Sequence, residues 1–152
     1  MMSNTPPVEL RITRTQDLEA IKDLSIRAGL EVREGPQQEH IECAFGCFLG
    51  ERLVACAALE HKGHNYFVEW VAVDNGMRSR GLGSRLVTMV VEEARARGAR
   101  TIWVKARVPG FYERMGFRRL KDDETGPIST DECLDCPQYH KNCFPTVMVR
   151  NI

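Results

Sequence analysis

The sequence has no hydrophobic run that approaches the roughly 20 apolar residues of a membrane span. It also has no excess of either charge, because Lys plus Arg and Asp plus Glu each number 21. These absences give no argument for a membrane or for nucleic acid as a partner. The N-terminal stretch MMSNTPPVEL has neither a cationic start nor an apolar core, so we expect a cytoplasmic protein.

Length and periodicity predict one domain. The 152 residues contain no internal repeat, and 43% of them are hydrophobic, so we expect residues 1–152 to form a single domain. Strand-like alternation and helical spacing predict the following elements: strand VELRITR, helix TQDLEAIKDLSIRAGL, strands CAFGCFLG, LVACAALEHK and NYFVEWVAV, a helix that begins near Leu82 and ends before Gly98, strand TIWVKARV, short helix GFYERMG, and strands FRRL and TVMVRN. Thr15 with Asp17 should open the first helix, whose apolar residues at about helical spacing are Leu18, Ile21, Leu24 and Ile26. The apolar stripe of the second helix consists of Leu82, Leu86, Val90 and Ala94, with Val87 and Val91 beside them. The almost continuously apolar NYFVEWVAV should be a central strand.

Positive charge is concentrated in one part of the chain. Between Arg78 and Arg119 there are eleven Arg and Lys residues against three Glu residues, a net charge of +8. The stretch RSRGLGSRLV opens this region at the start of the helix near Leu82. Such a local excess suits a small polyanion better than a duplex.

The glycines at positions 81 and 83 allow the backbone to turn sharply and to approach a ligand closely. At a helix N-terminus their amides favour an anion, so the stretch predicts a pyrophosphate site. Neither GxGxxG nor GxxxxGK[ST] is present, since Leu86 stands where the first pattern needs its third glycine. A plain tight turn with solvated arginines is the alternative interpretation.

Arg78, Gly81 and Gly83 form an RxxGxG motif between the strand VEWVAV and a helix, and this segment resembles the signature of the GNAT superfamily of N-acetyltransferases. The later FYERMGF is similar to that family's Y-E-x-x-G-F segment. The resemblance covers about Val8 to Leu120 and the last strand. It implies an α+β fold, a mixed and mostly antiparallel sheet of about seven strands flanked by helices and splayed between the fourth and fifth strands. It also implies acetyl-CoA as the cofactor.

The resemblance implies a set of cofactor contacts. Backbone groups near Val71 and Val73 would hydrogen-bond the pantetheine arm, and Arg78 would add charge beside the pyrophosphate. The amides of the turn would bind the pyrophosphate itself: Arg80, Gly81, Leu82, Gly83 and Ser84.

Two residues are candidates for acid and base catalysis of acetyl transfer to an amine. Tyr112 matches the tyrosine of the family's later motif and would protonate the departing thiolate. Glu69 would take the ammonium proton, and regular strand alternation would place it on the same face as Val71 and Val73. Many relatives carry this glutamate two positions earlier, where this chain has Phe67. Water, His61 or His64 therefore remain alternative bases, and a packed tyrosine and a partnered glutamate are the structural alternatives.

A polar segment of 25 residues, 121–145, precedes the last strand and is expected to form a loop ordered as a lid. It holds four soft potential ligands: Cys133, Cys136, His140 and Cys143. Tetrahedral Zn(II) is the first interpretation, an iron–sulfur centre is rarer, and reduced thiols or an incidental disulfide are the alternatives. The other cysteines, Cys43, Cys47 and Cys56, lie in predicted strands and should be core residues.

The tail of the chain also resembles short, bacterial-type amino-acid acetyltransferases related to N-acetylglutamate synthase. The matching residues are Cys133, Cys136, Pro137 and Cys143, followed by Val147 and Met148. The resemblance implies an N-acetyltransferase whose acceptor is the primary amine of an amino acid or similar small molecule. A non-catalytic CoA- or metal-binding sensor and a protein N-acetyltransferase are the alternatives. We expect no nucleic-acid or membrane partner, and a homodimer stays open.

Overall fold

The computed structural model describes residues 9–29, 40–121, 123–124, 126–127 and 146–152. Within these residues seven strands form one sheet, and three α-helices accompany it. The elements in chain order are β1 Leu10–Thr15, α1 Leu18–Arg27, β2 Ile41–Leu49, β3 Arg52–Lys62, β4 Asn65–Val73, α2 Leu82–Ala96, β5 Thr101–Ala106, α3 Pro109–Arg114, β6 Arg118–Arg119 and β7 Thr146–Asn151.

The strands are ordered β1-β2-β3-β4-β5-β7-β6, and β4 is the central strand as predicted. All neighbouring strands pair antiparallel except β4 and β5, which are parallel. The α+β class and the mixed, mostly antiparallel sheet of seven strands are therefore confirmed.

Helix α2 covers one face of the sheet, which we call the α2 face. Its predicted apolar stripe is buried as expected, and that stripe consists of Leu82, Leu86, Val87, Val90, Val91 and Ala94. These side chains pack with residues of five strands in the larger hydrophobic core. Burial of this stripe, and not intrinsic propensity, supplies most of the stability of the helix.

Helix α1 covers the opposite face, the α1 face, with a smaller core around Ile21 and Leu24. The predicted stripe is only partly right here, because Leu18 and Ile26 are 41% and 57% exposed. Ile26 lies two residues after Leu24, which rotates it about 200° around the helix axis and away from the sheet. Ser25 is buried in its place, and its hydroxyl donates a hydrogen bond to the carbonyl of Ile21 at 2.8 Å.

Strand β4 contains a β-bulge, which we call the β4 bulge, at Trp70 and Val71. The register with β3 passes from Cys56 opposite Ala72 to Ala58 opposite Glu69, so two residues of β4 lie opposite one residue of β3. Trp70 has a φ of +54°, in the left-handed region that bulky residues rarely adopt. One extra residue in the ladder exchanges the two faces for every side chain beyond it.

Cys47 and Cys56 are buried and Cys43 is half-buried, all as free thiols, which confirms their predicted place in the core. The four predicted metal ligands, Cys133, Cys136, His140 and Cys143, lie outside the described residues. In the described part of the chain no helix is long and apolar enough to cross a membrane.

Candidate active site

The gap between β4 and β5 is the centre of the candidate site. The two strands pair at only two positions, Phe67 with Trp103 and Val68 with Val104. Past these pairs the remainder of β4 and the end of β5 separate, while β4 stays paired with β3 as far as Val73. The splay that the resemblance implied between the fourth and fifth strands is thus present.

The end of β4 directs backbone polar groups into this gap. The amide of Asp74 donates to the carbonyl of Val54 on β3 at 2.8 Å. Since backbone groups of an antiparallel strand point alternately to either side, the amide and carbonyl of Val73 point away from β3. They face the gap, where an extended ligand could pair with them as a further strand would.

Asp74 anchors the start of the following turn. Its carboxylate accepts hydrogen bonds from Arg27 of α1 and Arg52 of β3, and it also accepts from the amide of Gly76 at 3.4 Å. The hydrogen bond from Arg52 is the main cause that lowers the pKa of Asp74. The turn between β4 and α2 therefore begins at a point tied to two other elements.

Residues 78–84 form the loop that enters α2, which we call the 78–84 loop. Ser79 and Gly81 have φ angles of +66° and +74°. Alternation of left-handed and ordinary backbone conformations makes successive N–H groups converge, an arrangement that binds anions. A left-handed serine is costly, and such strain clusters at functional sites.

Gly81 is the N-cap of α2, and no side chain caps this helix end. The first-turn amides of Leu82, Gly83 and Ser84 therefore keep their hydrogen-bonding capacity for a ligand. A Cβ at Gly81 would meet nothing within 4 Å, so the space beside the loop is open. A Cβ at Gly83 would lie 3.5 Å from Phe111 and Val73, an ordinary contact, so glycine is not required there by steric exclusion.

The arginines around this loop differ from the arginines elsewhere on α2. Arg78, Arg80 and Arg85 are exposed, and within the described ranges no carboxylate pairs with them. At the other end of the helix, Arg95 pairs with Glu92 at 2.6 Å and Arg97 pairs with Glu93 at 3.0 Å. Carboxylates of the described residues therefore do not compensate the positive charge at the N-terminus of α2.

Tyr112 of α3 is buried on the α2 face. Its ring packs edge-on against Phe111 and Phe117, with ring centroids 4.9 and 5.5 Å away. Burial is the main cause that raises the pKa of its phenol well above 10, and the charge of Glu69 raises it further. The phenol thus stays protonated at neutral pH.

Glu69 lies on the other face of the sheet from Val71 and Val73, so the expectation that the three share a face is wrong. Glu69 is opposite Ala58, which belongs to the core under α1, whereas Val73 is opposite Ala55, which belongs to the core under α2. The β4 bulge is the reason, because it inserts one residue between them. Glu69 and Tyr112 are nevertheless close enough to interact electrostatically.

The two histidines that are alternative candidates for the base lie at the hairpin between β3 and β4. His61 stacks on Tyr66 with ring centroids 4.1 Å apart, and its Nδ1 is 3.7 Å from the carboxylate of Glu42. His64 is exposed in the turn itself. Glu69 is farther along β4, next to the point where the splay begins.

Two residues of β5, Trp103 and Lys105, border the gap and were not predicted from the sequence. Alternation in TIWVKA marks them as sharing one face, but a six-residue strand alone does not reveal which face borders a ligand. No group of three or more metal-ligating side chains lies among the residues that the structure describes. Zinc binding by the segment 121–145 stays a prediction.

The model of the acetyltransferase (GNAT) family matches residues 13–117, more than two thirds of the sequence. The uncapped N-terminus of α2 and the splay between β4 and β5 agree with this match. The chain belongs to the acetyltransferase (GNAT) family.

Among curated proteins, glucosamine 6-phosphate N-acetyltransferase 1 of Oryza sativa subsp. japonica is 38% identical over 78 residues, which are 49% of this chain and 44% of that protein. The chain spans about half the length of the curated relatives that it matches.

Two solved structures share the fold. N-acetylglutamate synthase from Neisseria gonorrhoeae, in complex with coenzyme A and N-acetyl-glutamate, superposes with a TM-score of 0.70 at 18% identity, over 94% of this chain and 35% of that one. A Mycobacterium tuberculosis protein in complex with CoA and NLQ gives a TM-score of 0.70 at 22% identity, over 95% of this chain and 99% of that one.

Proposed function

We propose that this protein transfers the acetyl group of acetyl-CoA to the primary amine of a small molecule, with an amino acid as the first candidate. Family membership supports acetyl transfer. The observation that carries the proposal in this chain is the uncapped N-terminus of α2 beside a splayed β4–β5 pair. A site for a bound pyrophosphate and a path for an extended arm thereby adjoin each other.

The described residues suit acetyl-CoA in three respects. The amides from Arg80 to Ser84 would bind the pyrophosphate, since no side chain occupies them and the space at Gly81 is open. Arg78 and its neighbours would add attraction, since no carboxylate in the described part of the chain pairs with them. Val71 and Val73 would offer backbone groups to the pantetheine arm inside the gap, which would bring the thioester to the start of the splay.

Glu69 and Tyr112 would act from opposite faces of the sheet. Glu69, on the α1 face, would accept the proton that the amine loses as its nitrogen bonds to the acetyl carbon. Tyr112, on the α2 face, would donate its proton to the sulfur as the carbon–sulfur bond breaks. The raised pKa keeps the phenol protonated at neutral pH, so its proton is present when the carbon–sulfur bond breaks. The β4 bulge is what separates base from acid in this way.

The acceptor is proposed to be a small molecule that carries a carboxylate beside its amine. The fold likeness to a synthase in complex with N-acetyl-glutamate supports this choice, whereas the curated relative named above acts on an amino sugar phosphate by its name. A protein amine and a purely sensory role remain distinguishable alternatives.

A thiol-release assay with acetyl-CoA tests the function. The acceptors should include L-glutamate, L-arginine, D-glucosamine 6-phosphate, spermidine and a lysine-containing peptide. We expect acceptor-dependent release of CoA that falls at least tenfold in a Glu69→Gln variant. Tight CoA binding without release for any acceptor would favour a sensor, and release with the peptide alone would favour a protein acetyltransferase.

A further inference from the structure

The side chains of β5 separate cleanly between the two faces of the sheet. Ile102, Val104 and Ala106 are buried in the core under α2. Because neighbouring residues of a strand point to opposite faces, Trp103 and Lys105 belong to the α1 face. Both are half-buried there. This face, and not the α2 face with its filled core, has polar groups at the mouth of the gap.

Glu69 and Lys105 are the first residues past the pairing of β4 with β5. The parallel register ends with Val68 opposite Val104, so one step farther along each strand come Glu69 and Lys105. Both belong to the α1 face, one on each wall of the gap. A carboxylate and an ammonium thus flank the place where the two strands separate.

Trp103 adds an unusual feature to the β5 wall. Its indole Nε1 is buried and has no hydrogen-bond partner within the described part of the chain. The backbone of Gly126 lies against the ring, since a Cβ at that position would be 2.6 Å from the nearest ring carbon. A buried donor without a partner destabilises a fold, and each such group calls for an explanation. A ligand that accepts this hydrogen bond would supply one.

From this arrangement we infer that Lys105, together with the indole N–H of Trp103, binds the carboxylate of the acceptor and so selects amino acids over simple amines. With the carboxylate on the β5 wall, the amine of an α-amino acid would face Glu69 across the gap. Lys105 is thereby a specificity residue and Glu69 the base. The inference rests on the proposed acetyl transfer and adds the residues that would select an acceptor with a carboxylate.

Matched pairs of acceptors with and without the carboxylate test the inference: L-arginine against agmatine, and L-glutamate against 4-aminobutyrate. For the pair that the wild-type protein acetylates, we expect a kcat/KM at least tenfold higher for the amino acid. Lys105→Met should lower that value about 10- to 100-fold, mainly through KM, because a hydrogen bond to a charged group is lost. Lys105→Arg should recover part of the loss, and the carboxylate-free partner should change less than threefold.

Trp103→Phe provides a second variant, which removes the indole N–H together with the five-membered part of the ring system. The lost packing should lower the melting temperature whatever the role of the donor, so the informative readout is KM. We expect a several-fold higher KM for the amino acid, whereas a merely structural tryptophan would leave that KM unchanged.

The inference would be overturned if Lys105→Met lowered kcat/KM equally for both members of a pair. It would also be overturned if the wild-type protein preferred agmatine or 4-aminobutyrate to the matching amino acid. Acetylation of D-glucosamine 6-phosphate alone would have the same consequence. These results leave the proposed transfer standing, because acetyl-CoA binding to each variant is measured separately by calorimetry. If the wild-type protein does not bind acetyl-CoA, the proposed function itself is rejected.

Discussion

The two helices on opposite faces of the sheet begin in opposite ways. Helix α1 is closed, because the carboxylate of Asp17 accepts a hydrogen bond from the amide of Ala20 at 3.0 Å. Helix α2 has glycine as its N-cap, no capping side chain, and arginines without carboxylate partners among the described residues. In a capped helix a side chain of the protein accepts a hydrogen bond from a first-turn N–H group. In an uncapped helix these N–H groups can bind an external anion.

The contrast extends to the chemistry expected on each face. The α2 face carries the 78–84 loop and Tyr112, which are proposed to bind the cofactor and to protonate its leaving sulfur. The α1 face carries Glu69, Trp103 and Lys105, which are proposed to contact the acceptor. A gap in the sheet connects the two faces, so each substrate would approach from its own side.

The largest effect is expected for substitution of Gly81, and it concerns acetyl-CoA affinity. Its backbone is left-handed, a conformation that Asn and Asp tolerate best after glycine, so Gly81→Asp and Gly81→Asn should both fold. Gly81→Asp places a negative charge beside the pyrophosphate and should lower acetyl-CoA affinity by more than about 100-fold. Gly81→Asn should stay within about tenfold of the wild type. Calorimetric titration measures both, and equal affinities would place the pyrophosphate elsewhere.

The second largest effect is expected for Glu69→Gln, and it concerns kcat. Without a base, the acceptor amine stays protonated, and kcat should fall about 100-fold at neutral pH with little change in acetyl-CoA affinity. The deficit should shrink as the pH rises past the pKa of the acceptor amine, since the free amine then needs no base. A deficit that is constant with pH would assign Glu69 a structural role.

Tyr112→Phe keeps the packing against Phe111 and Phe117 and removes only the hydroxyl. We expect kcat to fall about tenfold to 100-fold while acetyl-CoA affinity is retained. Because the pKa of this phenol is raised above 10, the wild-type protein should show no loss of activity from its ionisation below pH 10. Full activity in Tyr112→Phe would make the phenol a packing residue only.

The smallest effect is expected for the arginines, since exposed charges are screened by water and salt. Arg80→Gln should weaken acetyl-CoA binding about three- to tenfold at low salt and less at 0.5 M KCl. Arg95→Gln, at the paired end of the same helix, is the matched control and should leave affinity unchanged. Equal effects of the two substitutions would mean that net charge, and not position, matters.

Much of the fold follows from periodicity. The apolar stripe of α2, the Asp17 cap of α1 and the central place of β4 were all predictable, because each depends on local spacing or on a run of apolar residues. Ile26 was not, since an apolar residue near the end of a helix needs no burial. The splay between β4 and β5 was predicted from the family resemblance and not from the spacing of residues, and its two-residue pairing appears only in the structure.

The face of Glu69 could not be read from the sequence. Strict alternation places it with Val71, and nothing in VEWVAV marks an inserted residue, because tryptophan is a common strand residue and is disfavoured at the left-handed φ that it adopts here. The hydrogen bond from the Cys56 thiol to the carbonyl of Trp70 at 3.1 Å appears only in the folded chain. The placement of Glu69 and Tyr112 on opposite faces is therefore a property of the tertiary structure.

Amide chemical shifts in a ¹⁵N-labelled protein titrated with CoA give the most direct test of the contrast between the two helices. We expect large shifts for the amides of Leu82, Gly83 and Ser84, because their N–H groups would acquire a pyrophosphate partner. The amide of Ala20, already bonded to Asp17, should stay in place. Saturable CoA binding that leaves the first-turn amides of α2 unshifted would contradict the account.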